Sequence, residues 1–222
     1  MCVGFIMFSG CRDSGPKYNF NTQPRAINRS AGETVVLFDG SDFNHWQMGE
    51  PGGWEIDDGS MLCNAKGYLW STEHFGDFIL ECEFKMSPDC NSGIFIRTGN
   101  PNDPVQTGME IQIIDTFGKP DPDKHDSGAF YDLMEPSENA VKQPGEWNQM
   151  TITCNKNMIT VVLNNVPVIE ANVDNWFETH KNPDGTDNKF SMPIKDFPRT
   201  GFIGFQDHGH PVWFRDIKVT IL

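Results

Sequence analysis

The sequence predicts an all-β domain of the sandwich or jelly-roll type. Residues 77–86 alternate cleanly: Phe78, Leu80, Cys82, Phe84 and Met86 fall on one side, and Glu81, Glu83 and Lys85 on the other. That is the period of a half-buried strand. Similar short runs follow one another from Thr34 onward, separated by Gly, Asn and Asp turn residues, which is the pattern of a sandwich or barrel. No stretch longer than a few turns carries helical periodicity, and 21 Gly and 15 Pro in 222 residues suit a chain full of turns.

Taken in order, residues 35–38 form a strand leading into the turn Asp39-Gly40-Ser41-Asp42. Trp54-Glu55-Ile56 turns through Asp57-Asp58-Gly59 into Met61-Leu62-Cys63, and residues 67–70 make a further short strand. Residues 77–86 come next, then Asn91-Ser92-Gly93-Ile94-Phe95-Ile96-Arg97 and Gly108-Met109-Glu110-Ile111-Gln112-Ile113-Ile114-Asp115. Residues 147–154 and 158–163 read as a hairpin turning at Asn155-Lys156-Asn157, with another turn at Leu163-Asn164-Asn165. Gly201-Phe202-Ile203-Gly204-Phe205-Gln206-Asp207-His208-Gly209 reads as a strand, and residues 212–222 close the domain. Two long connections interrupt this rhythm. Residues 116–145 contain His125, Tyr131, Asp132 and Glu135; residues 174–200 contain Trp176, His180 and Lys189. Connections of that length either wall a site or cover a sheet edge.

The chain divides into residues 1–11, a tether at 12–32 rich in Asn, Pro, Arg and Ser, and one domain at 33–222. That length suffices for a core of its own. Residues 1–8 are apolar, and Phe8-Ser9-Gly10-Cys11 resembles the lipobox at which bacterial lipoproteins are cleaved and lipid-modified on cysteine. The positive n-region of a signal peptide is missing, as if the leader were shortened. The expectation is an exported periplasmic or cell-surface lipoprotein, anchored at Cys11 and touching the membrane only through its lipid. A formal net charge of −14 argues against nucleic acid as a partner, because phosphates demand Lys and Arg. Cys63, Cys82, Cys90 and Cys154 show neither CxxC pairing nor zinc spacing. Cys82 and Cys154 alternate with apolar residues and read as buried inert thiols, although a bridge between them is open on sequence alone.

A strand's side chains alternate, so Glu110 and Gln112 share a face, as do Gln206 and His208, while Arg97 falls on the face of Phe95. Ile111, Ile113, Ile203 and Phe205 occupy the opposite faces, where a core would take them. Arg, Glu, Gln and His on one sheet surface mark a place where a polar ligand binds. Each also has a structural reading: Arg97 could simply pair with Glu110 across neighbouring strands. Trp46, Trp54, Trp70 and Trp176 are either aromatic platforms for sugar rings or core side chains.

The order of several motifs resembles a known family. Leu37-Phe38-Asp39-Gly40, Trp46, Trp54 with Asp58-Gly59, and Phe75-Gly76-Asp77-Phe78 come first. The Asn91 to Arg97 run, Glu110 with Gln112, Gly128-Ala129-Phe130-Tyr131, Gly145-Glu146-Trp147-Asn148 and Phe214-Arg215-Asp216-Ile217 follow. Together they resemble the 3-keto-disaccharide hydrolase domain from about residue 34 to the end. The resemblance implies a concanavalin A-like jelly-roll sandwich of two antiparallel sheets, on an exported protein. It also implies action on a glycoside already oxidised at C3, and hence a sugar 3-oxidoreductase upstream.

Such a substrate loses its C1 substituent by elimination, which needs a base at C2, stabilisation of the C3 enolate and an acid for the leaving oxygen. Glu110 is the candidate base, Arg97 the enolate stabiliser and His208 the proton donor. Gln112, Gln206, Tyr131 and Trp46 are candidate substrate-binding residues. A divalent metal ion is a candidate cofactor, with His125, Asp126, His208 and His210 as its possible ligands. Two rival functions stand beside this one. A conventional glucanase-like glycoside hydrolase would use Glu110 with Asp115, but the intervening acid of the usual Glu-x-Asp-x-x-Glu pattern is Gln112 here. A noncatalytic carbohydrate-binding module would use the tryptophans as platforms.

Overall fold

A computed structural model describes residues 20, 22–23, 29–63 and 66–222. Residues 1–11, with the lipobox and Cys11, lie outside the described residues. The described residues form thirteen strands: β1 (Thr34–Phe38), β2 (Trp46–Met48), β3 (Trp54–Asp57), β4 (Ser60–Cys63), β5 (Leu69–Ser71), β6 (Phe78–Met86), β7 (Asn91–Thr98), β8 (Met109–Ile114), β9 (Trp147–Asn155), β10 (Met158–Leu163), β11 (Val166–Asn172), β12 (Phe202–Phe205) and β13 (Val212–Ile221). Among the described residues helix is confined to single turns at Pro104–Thr107, Val173–Asn175 and Ile194–Asp196.

The strands make two antiparallel sheets. The larger runs β11-β10-β9-β6-β13-β4-β3, with β1 sharing the outer edge of β13 beside β4. The smaller runs β2-β5-β12-β7-β8. Their facing sides enclose the core. From the larger sheet come Phe78, Leu80, Cys82, Phe84 and Met86, the side that alternation selected, all buried. From the smaller come Ile94, Ile96, Ile111, Ile113, Ile203 and Phe205. Phe205 stacks on Phe214 with ring centroids 4.1 Å apart, joining the sheets. Burying each such side chain contributes about 1.5–3 kcal/mol.

The turns follow the sequence. Asp58 and Gly59 take positive φ between β3 and β4, and Lys156 does so in the β9–β10 hairpin. Cys63, Cys82, Cys90 and Cys154 are buried free thiols. Cys82 stands opposite Met150, and Cys154 opposite Phe78, so the register does not pair the two cysteines.

Three tryptophans belong to the core. Trp46 corrects its assignment as a sugar-binding residue: it is buried, its ring tilted against Phe205 with centroids 5.0 Å apart, and its indole donates to the Leu37 carbonyl at 2.8 Å. The position falls on the inward face of β2, so the ring satisfies its apolar body and its N–H inside the sandwich. Trp54 and Trp176 are likewise buried, donating to the Gly67 carbonyl and to Asn182 Oδ1. Trp70 faces the other way. It joins Phe20, Phe95, Phe202 and Tyr68 in a separate aromatic cluster on the outer side of the smaller sheet.

Candidate functional site

The outer side of the smaller sheet carries the polar residues that the alternation grouped. Across it, Trp70 stands opposite Gly204, Gly204 opposite Phe95, and Phe95 opposite Glu110. In the next row Gln112 stands opposite Gly93, and the Gln206 N–H reaches the Gly93 carbonyl at 2.9 Å just beyond β12. Both glycines have a steric purpose. A Cβ on Gly93 would overlap the Glu110 carboxyl, and one on Gly204 would overlap the Trp70 ring. A glycine within a strand often marks such a close approach, and the Gly in Asn-Ser-Gly-Ile was that signal in the sequence.

Glu110 is 7% exposed, and its Oε1 has no hydrogen-bond partner. Burial pushes its carboxyl up from 4.5 to about 7, against the opposing pull of the Lys189 ammonium. Gln206 is also buried with an unpartnered Oε1, while the Gln112 amide donates to Asn91 Oδ1 at 3.2 Å. Buried polar atoms are almost always paired in folded proteins. Two orphaned oxygens on neighbouring rows of one face therefore suit hydroxyl donors from a ligand.

Both long connections supply walls. Residues 128–131 run along the free edge of β8: the Gly128 N–H reaches the Gln112 carbonyl, the Gln112 N–H reaches Ala129, and the Tyr131 N–H reaches Glu110. Covering the edge and walling the site are thus the same act. Tyr131 is half-buried, and its hydroxyl is raised above its usual range by burial, then by Glu110 and Asp132. The second connection brings Lys189, whose ammonium lies 4.0 Å from the Tyr131 ring centroid. His125 meets Tyr131 edge-on at 5.1 Å and bonds Asp132 through Nε2 at 3.0 Å. Lys189, His125 and Asn91 complete the site although alternation did not select them. Loop length was the sequence signal for Lys189, while His125 also stood out as a possible metal ligand.

Other expected residues go elsewhere. Arg97 is fully buried, and its guanidinium donates to the Gly76 carbonyl, the Lys156 carbonyl and Asp77 Oδ1, each at 2.8 Å. The cause is a bulge: Phe202 pairs with Thr98 but Gly204 pairs with Phe95, so β7 has one residue too many. Arg97, at φ +50°, breaks the alternation and reaches toward the end of the larger sheet, not toward Glu110. His208 is exposed on the loop after β12, which ends at Phe205 rather than continuing through Gly209. Asp115 lies past β8, and its carboxylate accepts the Asp89 N–H at 3.1 Å, so it makes no carboxylate pair with Glu110 across the site. Asp126 is taken by Lys119 and the Asp123 N–H. Among the described residues no three His, Cys, Asp or Glu side chains gather as metal ligands. His125, Asp126, His208 and His210 are thus not gathered into one such group.

Comparison with known proteins gives the family of the chain. Residues 33–220 match the 3-keto-alpha-glucoside-1,2-lyase-like domain. A 3-keto-disaccharide hydrolase of Bacteroides thetaiotaomicron is 28% identical over 226 aligned positions, covering 85% of this chain and 78% of that protein. A crystal structure from Parabacteroides distasonis, provisionally named a glycosyl hydrolase, superposes with a TM-score of 0.79 at 32% identity, covering 86% of this chain and all of that one. A second protein of that organism, named in the same way, gives a TM-score of 0.70 at 24% identity, covering 85% and 94%, and shows the fold alone. The family match spans most of the chain, which therefore belongs to the 3-keto-alpha-glucoside-1,2-lyase-like domain family of carbohydrate-active hydrolases.

Proposed function

We propose that this protein cleaves the glycosidic bond of a 3-keto-glycoside by elimination, with Glu110 as the base. A carbonyl at C3 acidifies the C2 proton. Glu110 takes that proton, the C–H pair becomes a C2=C3 bond, and the carbonyl pair moves onto O3 as an enolate. The enolate then re-forms C3=O, its C2=C3 pair shifts to C1=C2, and the C1–O bond breaks with its electrons on the leaving oxygen. A proton returns to that oxygen. Water adds across C1=C2, hydroxyl to C1 and hydrogen to C2, so the net reaction is hydrolysis.

The observation that carries this reading is the Glu110 carboxyl itself, buried, unpartnered at Oε1 and raised to about 7. A general base works best when its pKa lies near the operating pH. Gln112 and Gln206 hold sugar hydroxyls in this reading, and Tyr131 returns the proton to the leaving oxygen. His208, on the exposed rim, is the alternative donor. The substrate needs prior oxidation by a separate sugar 3-oxidoreductase. An anchor at Cys11 would place the reaction outside the cytoplasm, which metabolic lipid labelling of Cys11→Ala tests.

The test is NMR product analysis with a 3-keto-glucoside and its unoxidised parent, for wild type and Glu110→Gln, with and without chelator. Cleavage of the keto compound alone, lost in the variant, supports the reading. A second reading is noncatalytic carbohydrate binding, with half-buried Tyr68, packed on the buried Trp70 and Phe95, as the aromatic contact for a sugar ring. Shifts that report binding without any product would select it.

A further inference from the structure

Elimination gathers negative charge on O3, and Arg97 is committed elsewhere, so another group must meet that charge. We infer that Lys189 is the catalytic residue that stabilises the C3 enolate, and that Asp132 is the positioning residue that holds it in place. The inference rests on the elimination reading above.

Lys189 sits on the second long connection, with its ammonium over the Tyr131 ring at 4.0 Å and its field acting on Glu110. Its own backbone is pinned from the first connection: the Lys189 N–H donates to Asp132 Oδ2 at 2.7 Å. Asp132 follows Tyr131 directly, takes φ +64° and is 8% exposed. Its Oδ1 meets His125 Nε2 at 3.0 Å and Lys124 Nζ at 3.3 Å, and its carbonyl accepts the Asn182 amide at 3.1 Å. One carboxylate therefore ties together two loops whose contact residues lie 57 positions apart. It fixes the cation and Tyr131 beside the same base. Lys189 itself is exposed at the site's rim, so replacing its head group leaves the packed interior untouched.

In the step assigned to it, Glu110 breaks the C2–H bond and keeps the proton. The electron pair passes through C2=C3 onto O3, and the ammonium neutralises O3 without itself giving up a proton. Preorganised charge of this kind is typically worth about 10²–10³-fold in rate.

The experiment is solvent deuterium wash-in at C2 of a 3-keto-glucoside, followed by NMR beside cleavage and melting temperature. It compares wild type, Lys189→Met, Lys189→Arg, Asp132→Asn and the Lys189→Met/Asp132→Asn pair. Lys189→Met should slow wash-in by about 10²–10³-fold at an unchanged melting temperature, and Lys189→Arg should recover part of that loss. Asp132→Asn should slow wash-in in wild type but add nothing in the Lys189→Met background. Wild-type wash-in with an equally fast Lys189→Met overturns the inference and leaves Glu110 as base. Asp132→Asn slowing both backgrounds alike overturns the positioning role. Wild type that neither exchanges C2 nor cleaves overturns the elimination reading, and this inference with it.

Discussion

The carboxyl of Glu110 lies across Gly93 and fills the space that a side chain at position 93 would need. An added Cβ would overlap Oε1 and sit 2.9 Å from Cδ and 3.0 Å from Cγ. Gly93 has no positive φ, so alanine suits the backbone and the strain falls on Glu110 alone. Gly93→Ala should displace the carboxyl and lower kcat on a 3-keto-glucoside by about 10²-fold, the cost of roughly 1 Å of misplacement. Its melting temperature should stay close to that of wild type. Full activity in the alanine variant would show that the base does not depend on this cradle.

Burial of Glu110 sets folding against the catalytic role proposed for it as pH changes. Its folded pKa of about 7 lies above the 4.5 of the free side chain, so between those values the folded chain binds more protons than the unfolded one. Stability from this group is complete below about pH 4.5 and is lost as pH rises through about 7. At about 1.36 kcal/mol per unit, the loss is at most about 3 kcal/mol. Glu110→Gln keeps the volume and removes the titration. Its advantage over wild type in urea midpoint should grow between about pH 5 and about pH 8. Over the same range wild-type kcat/KM should rise as the base ionises. A constant difference between the two proteins at both pH values would mean that Glu110 does not titrate there.

How much of this was legible in sequence depended on how local its cause was. The alternation in β6 put Phe78 through Met86 on the core side, and the pairing of Glu110 with Gln112 on one face needed only the pleat of β8. Arg97 failed by the same logic, because one extra residue in β7 cancels the alternation and no residue type near it announces the bulge. His208 does not share a strand face with Gln206, because β12 stops at Phe205, three residues before it. Lys189 could not be selected by any strand pattern. Its place is set by Asp132, far along the chain, through a bond to its own backbone that leaves no trace in side-chain periodicity.

The described cysteines should be chemically silent in the native state. Burial pushes the thiols of Cys82, Cys90 and Cys154 up to about 12, and Cys63 is also buried. A thiolate is the reactive species, so neither exchange nor alkylation has a nucleophile to use near neutrality. A chromogenic disulfide reagent should label none of these four in folded protein and all four in guanidinium. Rapid labelling of any of them before unfolding would mean that the sandwich opens locally at that strand.

Arg97 should matter to stability and not to chemistry. Its three bonds tie the β7 bulge to the Gly76 and Lys156 carbonyls and to Asp77, at the end of the larger sheet. Arg97→Met strands those acceptors and should lower stability by about 3 kcal/mol, given about 1–3 kcal/mol for a polar group left without its partner. Arg97→Lys should recover only part of it, since one ammonium cannot reproduce the planar fork. Below the melting transition, kcat per folded molecule should stay within about twofold of wild type, because the guanidinium points away from the face that holds Glu110. Urea unfolding and turnover measured on the same samples separate the two roles. A hundredfold loss of kcat at undiminished stability would return Arg97 to the reaction and displace Lys189 from it.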